Sequence, residues 1–187
     1  MAIGIDPGTA TPDPAPAATA LPRVLGIVGR SGSGKTTLIE AMLPLFAARG
    51  LRVNVVKHSH HQLMLEPPGK DSARFRAAGA QEVLVASPHG FALYRDLRDE
   101  PEPDLGAQLA RLAPADLTLV EGFRQDPIPR LEVHRPAAGM PPLYPELSGL
   151  LALVSDQPVA CGLPRLDLNQ PAAVVAFIVD WLNHAQS

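Results

Sequence analysis

The strongest chemistry in this 187-residue chain lies in nine consecutive residues. Gly29-Arg-Ser-Gly-Ser-Gly-Lys35-Thr36-Thr37 satisfies G-x-x-x-x-G-K-[ST], the spacing of a phosphate cradle. Gly29, Gly32 and Gly34 let the backbone curl so that successive N–H groups, through Ser31, Ser33 and Thr37, point inward. The helix expected to follow adds its positive N-terminal end. Lys35 would reach the β- and γ-phosphates of a nucleotide, and the Thr36 hydroxyl would take one position on Mg²⁺. The alternative is a glycine-rich turn that holds no ligand.

A phosphate loop also needs an acid to hold the metal. Asp116-Leu-Thr-Leu-Val-Glu121-Gly122 supplies Glu121 at the carboxyl end of an apolar run, the end at which parallel α/β sheets bind ligands; a solvated strand-ending glutamate is the bland reading. Glutamate stands there in place of the more common aspartate. Lys57-His58-Ser59-His60-His61 follows a second strand-like run and would face the same rim. Its histidines could ligate a metal, but without a cysteine or paired carboxylate at ligand spacing such residues more often serve as hydrogen-bonding or anion-contacting groups. Pro68-Gly69-Lys70-Asp71-Ser72 puts Lys70 and Asp71 either at the same rim or at an ordinary helix start. The three lysines, Lys35, Lys57 and Lys70, all fall in these loops. Gly122-Phe123-Arg124 and Pro129-Arg130-Leu131-Glu132-Val133-His134-Arg135 add cations that could bind a second anion or remain solvated, and the sequence leaves both open.

The elements that position these residues alternate between short β-rich and helical runs, which predicts parallel strands joined by helical crossovers. Strands are expected at Val24–Val28, Leu51–Val56, Asp116–Glu121, Leu131–Arg135 and Leu150–Ser155. Thr36–Arg49 reads as a helix with Leu38, Met42, Leu45 and Phe46 on one face, a kink at Pro44 and Gly50 as its C-terminal cap. Lys70–Ala78 reads as a shorter helix stopped at Gly79, followed by a hairpin of Glu82–Ser87 and Phe91–Leu97 placed at one sheet edge. Asp99–Asp104 is an acidic surface loop leading into a short helix that ends near Arg111. Val174, Phe177, Ile178, Trp181 and Leu182 mark the last helix, with Asn169 as a cap and Pro171 in its first turn. The fold class is therefore α/β, a three-layer P-loop NTPase fold with a mostly parallel sheet, helices on both faces and an edge β-hairpin.

Composition sets the outer limits. Net charge of −3 gives no global field for nucleic acid or an anionic membrane, and no apolar stretch is long enough to span a bilayer. The lone Cys161 excludes an internal disulfide, so the cytoplasm is the expected compartment. Residues 1–22, with Pro7, Pro12, Pro14, Pro16 and Pro22 among Ala, Thr and Asp, carry too little apolar surface to offset their ordering entropy. They are read as a disordered leader, and residues 23–187 as one domain.

Together, the segments Gly29–Leu38, Val56–His61, Pro68-Gly-Lys-Asp-Ser-x-Arg-x-x-x-Ala-Gly-Ala80, Val120-Glu-Gly-Phe123 and Pro129–Arg135 resemble the molybdopterin-guanine dinucleotide biosynthesis protein B (MobB) family. The resemblance runs from about Arg23 to the final helix. It implies a GTP-binding fold, homodimerisation, weak GTP hydrolysis and an adapter role beside the guanylyltransferase that attaches GMP to molybdopterin. Further partners it suggests are molybdopterin itself or a molybdoenzyme. Carried over, Gly29 to Thr37 bind the phosphates with Mg²⁺, Glu121 stands near the metal, and Lys57, His58, His60, His61, Lys70 and Asp71 line one cleft. Two positions depart from the pattern: Gln62 and Glu66 stand where the family often has Asp. The guanine-reading Asn-Lys-x-Asp pattern is absent, so Asp156, after the Leu150 to Val154 run, is the candidate acceptor for the base. Fast hydrolysis requires a positioned water and an added cation, and no arginine finger or catalytic glutamine stands out, so slow turnover is expected. A P-loop small-molecule kinase, with Glu121 or Asp71 as base, and a non-catalytic nucleotide-sensing scaffold are the alternatives.

Overall fold

Runs of Val, Leu and Ile that are apolar on both sides require cover on both faces, and they assemble into one parallel sheet. The computed structural model describes residues 23–59, 67 and 69–184. In chain order its elements are β1 (Val24–Val28), α1 (Lys35–Ala47), β2 (Val53–Lys57), α2 (Asp71–Ala77), β3 (Glu82–Ser87), β4 (Gly90–Arg95), α3 (Leu105–Leu109), β5 (Leu117–Glu121), β6 (Arg130–His134), β7 (Leu150–Ser155), β8 (Arg165–Asp167) and α4 (Pro171–His184). Six strands pair in the order β2-β5-β1-β6-β7-β8, every neighbour parallel.

The two faces of this sheet are covered differently. On one, Leu25, Ile27, Leu117, Leu119, Leu131, Val133, Ala152 and Val154 meet Leu38, Ile39, Met42 and Phe46 of α1 and Val174, Val175, Ile178 and Leu182 of α4. On the other, Val24 and Val120 pack under Leu105 of the short α3, with Phe123 and Ile128 from a loop at their margin. Beside them β6 turns Arg130, Glu132 and His134 inward, all buried, where loops rather than a helix form the cover. Burying such groups demands partners. Arg130 donates to the carbonyls of Arg124 (2.8 Å), Asp126 and Ile128, and Glu132 Oε1 accepts from Leu143 N at 2.6 Å.

Several expectations are corrected here. The hairpin does not extend the edge of the main sheet: β3 and β4 form a separate two-stranded sheet. Its Val83 side lies on α2, with the Arg76 guanidinium 3.7 Å from the centre of the Tyr94 ring, so it needs no place in the larger sheet. Helix α1 runs through Pro44 as read from the sequence, the carbonyl deprived of a donor being that of solvent-exposed Glu40, but it ends at Ala47 rather than Arg49. Strand β8 was not foreseen, since Arg-Leu-Asp offers no apolar pattern. Helix α4 opens on Pro171, in the first turn as read, but Asn169 stands two residues before it rather than at the cap, and its main-chain N–H donates to Asp167 Oδ1 at 2.8 Å. Residues 1–22 lie outside the described residues.

Candidate functional site

Parallel register delivers the chemistry to one rim. Ile27 and Lys57 both pair with Glu121, so β1, β2 and β5 end at one level, and the chain leaving β1 turns immediately into Gly29. At Gly29 (φ +150°) a Cβ would lie 2.3 Å from Val133 O, so only glycine lets the loop begin this close to β6. Gly32 and Gly34 also have positive φ, and Gly34 occupies the cap position of α1. No side chain caps this helix and its first turn holds no acid, which leaves its first N–H groups for a ligand. Ser33 is buried, and its Oγ has no hydrogen-bond partner among the described residues.

The cations and the acid are already in contact. Thr36 Oγ1 donates to Glu121 Oε1 and Oε2 at 3.2 and 3.1 Å. Lys57 Nζ lies 3.3 Å from Thr36 Oγ1 and 3.5 Å from Glu121 Oε1, an ammonium donating to two oxygen acceptors. Lys35 Nζ folds back onto Arg30 O at 2.9 Å. Burial pushes the Lys35 ammonium below its ordinary 10.5; the Glu121 carboxylate opposes this, and the charges of Arg124 and Lys57 add to it.

These groups open onto a cavity of about 790 Å³ bounded by the phosphate loop, the ends of β2 and β5, and residues 102–105. Lys57 and His58 line it as expected. His58 Nε2 lies 2.9 Å from Glu102 Oε1, so the acidic loop read as mere surface reaches across to the histidine segment. Lys70 and Asp71 are not brought to this cleft: they start α2 and line a second cavity, of about 590 Å³, against the hairpin residues Val83 to Ala86. His60, His61, Gln62 and Glu66 lie outside the described residues. Among those described, no cluster of three His, Cys, Asp or Glu could hold a metal unaided. No helix among them is long and apolar enough to cross a membrane.

Two arginines that the sequence left ambiguous flank the loop. Arg124 Nη2 donates to Gly29 O at 2.9 Å. Arg135 Nη2 lies 3.5 Å from where a Cβ on Gly34 would stand, and its Nε is 3.5 Å from Asp156 Oδ2. Asp156 therefore leans on Arg135, while its buried Oδ1 has no hydrogen-bond partner among the described residues. Only the strand order brings β6 and β7 beside the loop, so spacing along the chain carries no signal for this pair.

The family model for molybdopterin guanine dinucleotide synthesis protein B matches residues 24–156, which is most of the chain. The chain belongs to the MobB family. The molybdopterin-guanine dinucleotide biosynthesis adapter protein of Haemophilus influenzae is 40% identical to it over 162 residues, 86% of this chain and 90% of that protein. The Escherichia coli adapter protein is 36% identical, over 85% of this chain and 93% of its own length. A crystal structure of molybdopterin-guanine biosynthesis protein B aligns with a TM-score of 0.67 at 33% identity, covering 86% of this chain and 99% of that one. The MobB match spans everything from β1 through the phosphate loop to Asp156, and its P-loop, nucleotide-binding fold agrees with the sheet order found here.

Proposed function

We propose that the chain is an adapter in molybdopterin-guanine dinucleotide synthesis that binds Mg²⁺·GTP at Gly29 to Thr37 and hydrolyses it slowly. Its partner is the guanylyltransferase that attaches GMP to molybdopterin, with molybdopterin or an acceptor molybdoenzyme as further contacts. One observation carries the nucleotide reading: an uncapped helix N-terminus, a glycine loop and Lys35 converge beside a Thr36–Glu121 pair.

The donor set suits Mg²⁺. A hydroxyl and a carboxylate are hard oxygen ligands, and Mg²⁺ ordinarily takes one or two such groups with the remainder from phosphates and water. When bound, the ion neutralises charge between the β- and γ-phosphates. Thr36 and Glu121 would hold it, and Lys57 would exchange its present partners for phosphate oxygens. Lys35 would leave the Arg30 carbonyl for the same charge. Slow turnover fits a site whose contacts must be remade when nucleotide arrives. On the far flank, Asp156 Oδ1 is the acceptor that remains for guanine N–H groups.

Homodimerisation is favoured by the hairpin. Leu84, Phe91 and Leu93 share the face away from α2, as the pairs Leu84–Leu93 and Ala86–Phe91 show, and are 61%, 78% and 53% exposed. Such a face calls for cover, and a second copy would provide it. The deciding experiment is calorimetric titration with GTP and ATP, with and without Mg²⁺, on the chain and on Lys35→Ala. Mg²⁺-dependent GTP preference that is lost in Lys35→Ala is the expected result; micromolar GTP affinity retained by Lys35→Ala refutes the loop's role. Phosphoryl transfer to an added acceptor faster than to water would favour the kinase alternative.

A further inference from the structure

Resting on the GTP-hydrolysis reading above, the inference concerns how the site obtains a cation for the transition state. Lys35 holds the phosphates in the ground state as well, whereas rate enhancement needs a group aimed at charge that develops only as the terminal phosphate transfers. The sequence shows no arginine finger, but the tertiary structure contains an arginine built into the rim.

Immediately after Glu121 the backbone bends twice into the left-handed region, at Gly122 (φ +101°) and at Phe123 (φ +50°). A non-glycine residue in that region is uncommon and is held there by its surroundings. Phe123 is held by packing against the apolar cluster of Val24, Leu105 and Val120 and against the His58 ring, with ring centres 5.0 Å apart. Space is also tight at Gly122, where a Cβ would come within 3.0 Å of His58 Cβ. The double bend turns the chain back over β1, so that Arg124 lies against the opening residue of the phosphate loop and lines the same cavity as Lys35 and Glu121.

The following loop is clamped from beneath. Arg130, 3% exposed, spends its guanidinium on the backbone carbonyls of Arg124, Asp126 and Ile128. Arg124 is therefore presented by a braced segment. Among the described residues its guanidinium makes one hydrogen bond, to the neutral carbonyl of Gly29, and pairs with no carboxylate. A guanidinium has five N–H donors, so most remain for an anion in the cavity. Its charge is already felt at Lys35.

We propose that Arg124 supplies, from within the chain, the cation that stabilises the terminal phosphate during GTP hydrolysis, and that buried Arg130 is its positioning residue. In that step water forms a bond to the γ-phosphorus. The bond from the γ-phosphorus to the β–γ bridging oxygen breaks, and its electron pair stays on GDP. Inorganic phosphate retains the water's oxygen and one of its protons, the other passing to a phosphate oxygen or to solvent, and Arg124 donates hydrogen bonds without giving up a proton.

The test uses the full chain and its Arg124→Ala and Arg124→Lys variants, with four readouts: melting without nucleotide, GDP affinity, affinity for GDP with aluminium fluoride and Mg²⁺, and single-turnover GTP hydrolysis. Arg124→Ala is expected to keep its melting temperature and, within about threefold, its GDP affinity. Hydrolysis and the aluminium fluoride complex should weaken together by roughly tenfold or more, below the roughly 10³-fold or more that such arginines contribute in fast GTPases, as suits a slow site. Arg124→Lys should recover part of both. Unchanged hydrolysis and fluoride-complex affinity in Arg124→Ala would overturn the proposal. So would a parallel loss of GDP affinity and melting temperature, which would make Arg124 a brace for Gly29. If the unmodified chain neither binds nor hydrolyses GTP, it is the GTP reading itself that fails.

Discussion

Replacing Gly29 by alanine isolates the tightest constraint on the phosphate loop, and Gly32 offers an internal control. An added Cβ at Gly29 would stand 2.3 Å from Val133 O and 2.7 Å from Ser33 Oγ, about 1 Å inside the 3.4 Å at which ordinary contact begins. Val133 O belongs to the backbone of β6, which is paired with β1 and β7 and cannot withdraw alone. At Gly32 the same Cβ meets nothing within 4 Å. Both residues have positive φ: at Gly32 (φ +74°) the left-handed well costs an alanine about 1–2 kcal/mol, and Gly29 (φ +150°), outside that well, costs it at least as much. Gly29→Ala adds an overlap of about 1–3 kcal/mol, for a total near 3–4 kcal/mol. At about 2–4 °C per kcal/mol for a chain of this size, Gly29→Ala should melt about 10 °C lower and Gly32→Ala about 4–5 °C lower. Urea unfolding followed by Trp181, the one tryptophan and a residue packed on the core, measures the difference directly. Melting points for the two variants within a degree or two would refute the claim that β6 fixes where the loop begins.

Phe46→Ala removes a fully buried ring between α1 and the sheet and should cost about 3–5 kcal/mol in the same urea experiment. Lys35 loses its proton below 10.5 in the free protein, while phosphate oxygens favour the charged form. GTP affinity should therefore be full at lower pH, fall as pH rises through the lowered value towards 10.5, and be accompanied by proton uptake in that window. Calorimetry in two buffers of different ionisation heat checks this, and an affinity flat across the alkaline range contradicts it. Without nucleotide the sign reverses: the unfolded chain binds more protons in that window, so Lys35's contribution makes stability rise with pH. Phe91→Asp on the open hairpin face should convert a homodimer to monomer in analytical ultracentrifugation without lowering the monomer's GTP affinity.

Much of this protein was written locally. Gly29 to Thr37 were legible as a candidate phosphate loop because a phosphate nest is made by consecutive backbone amides, so its requirements are contiguous in sequence. The buried strands β1, β5 and β7 and the helix α4 were equally legible, since apolar periodicity reports one element's own cover. Glu121 was found by the same logic, as the polar residue ending an apolar run. Lys70 and Asp71, which their sequence left between this rim and an ordinary helix start, take the helix start, because a motif close in sequence to Lys57 need not be close in space. They went with α2 and the hairpin, which pack as a unit of their own.

What only tertiary structure decided is which groups meet across strands. Lys57 reaches Thr36, Arg124 reaches Gly29, Arg135 approaches Gly34 and leans on Asp156, and Glu102 finds His58. Each contact joins residues on different loops at one end of the sheet, and the strand order that brings those loops together arises from the burial of two whole faces. A linear pattern states what a residue can do. The packing of α1 and α4 on one side and α3 with its loops on the other determines which partner it does it with.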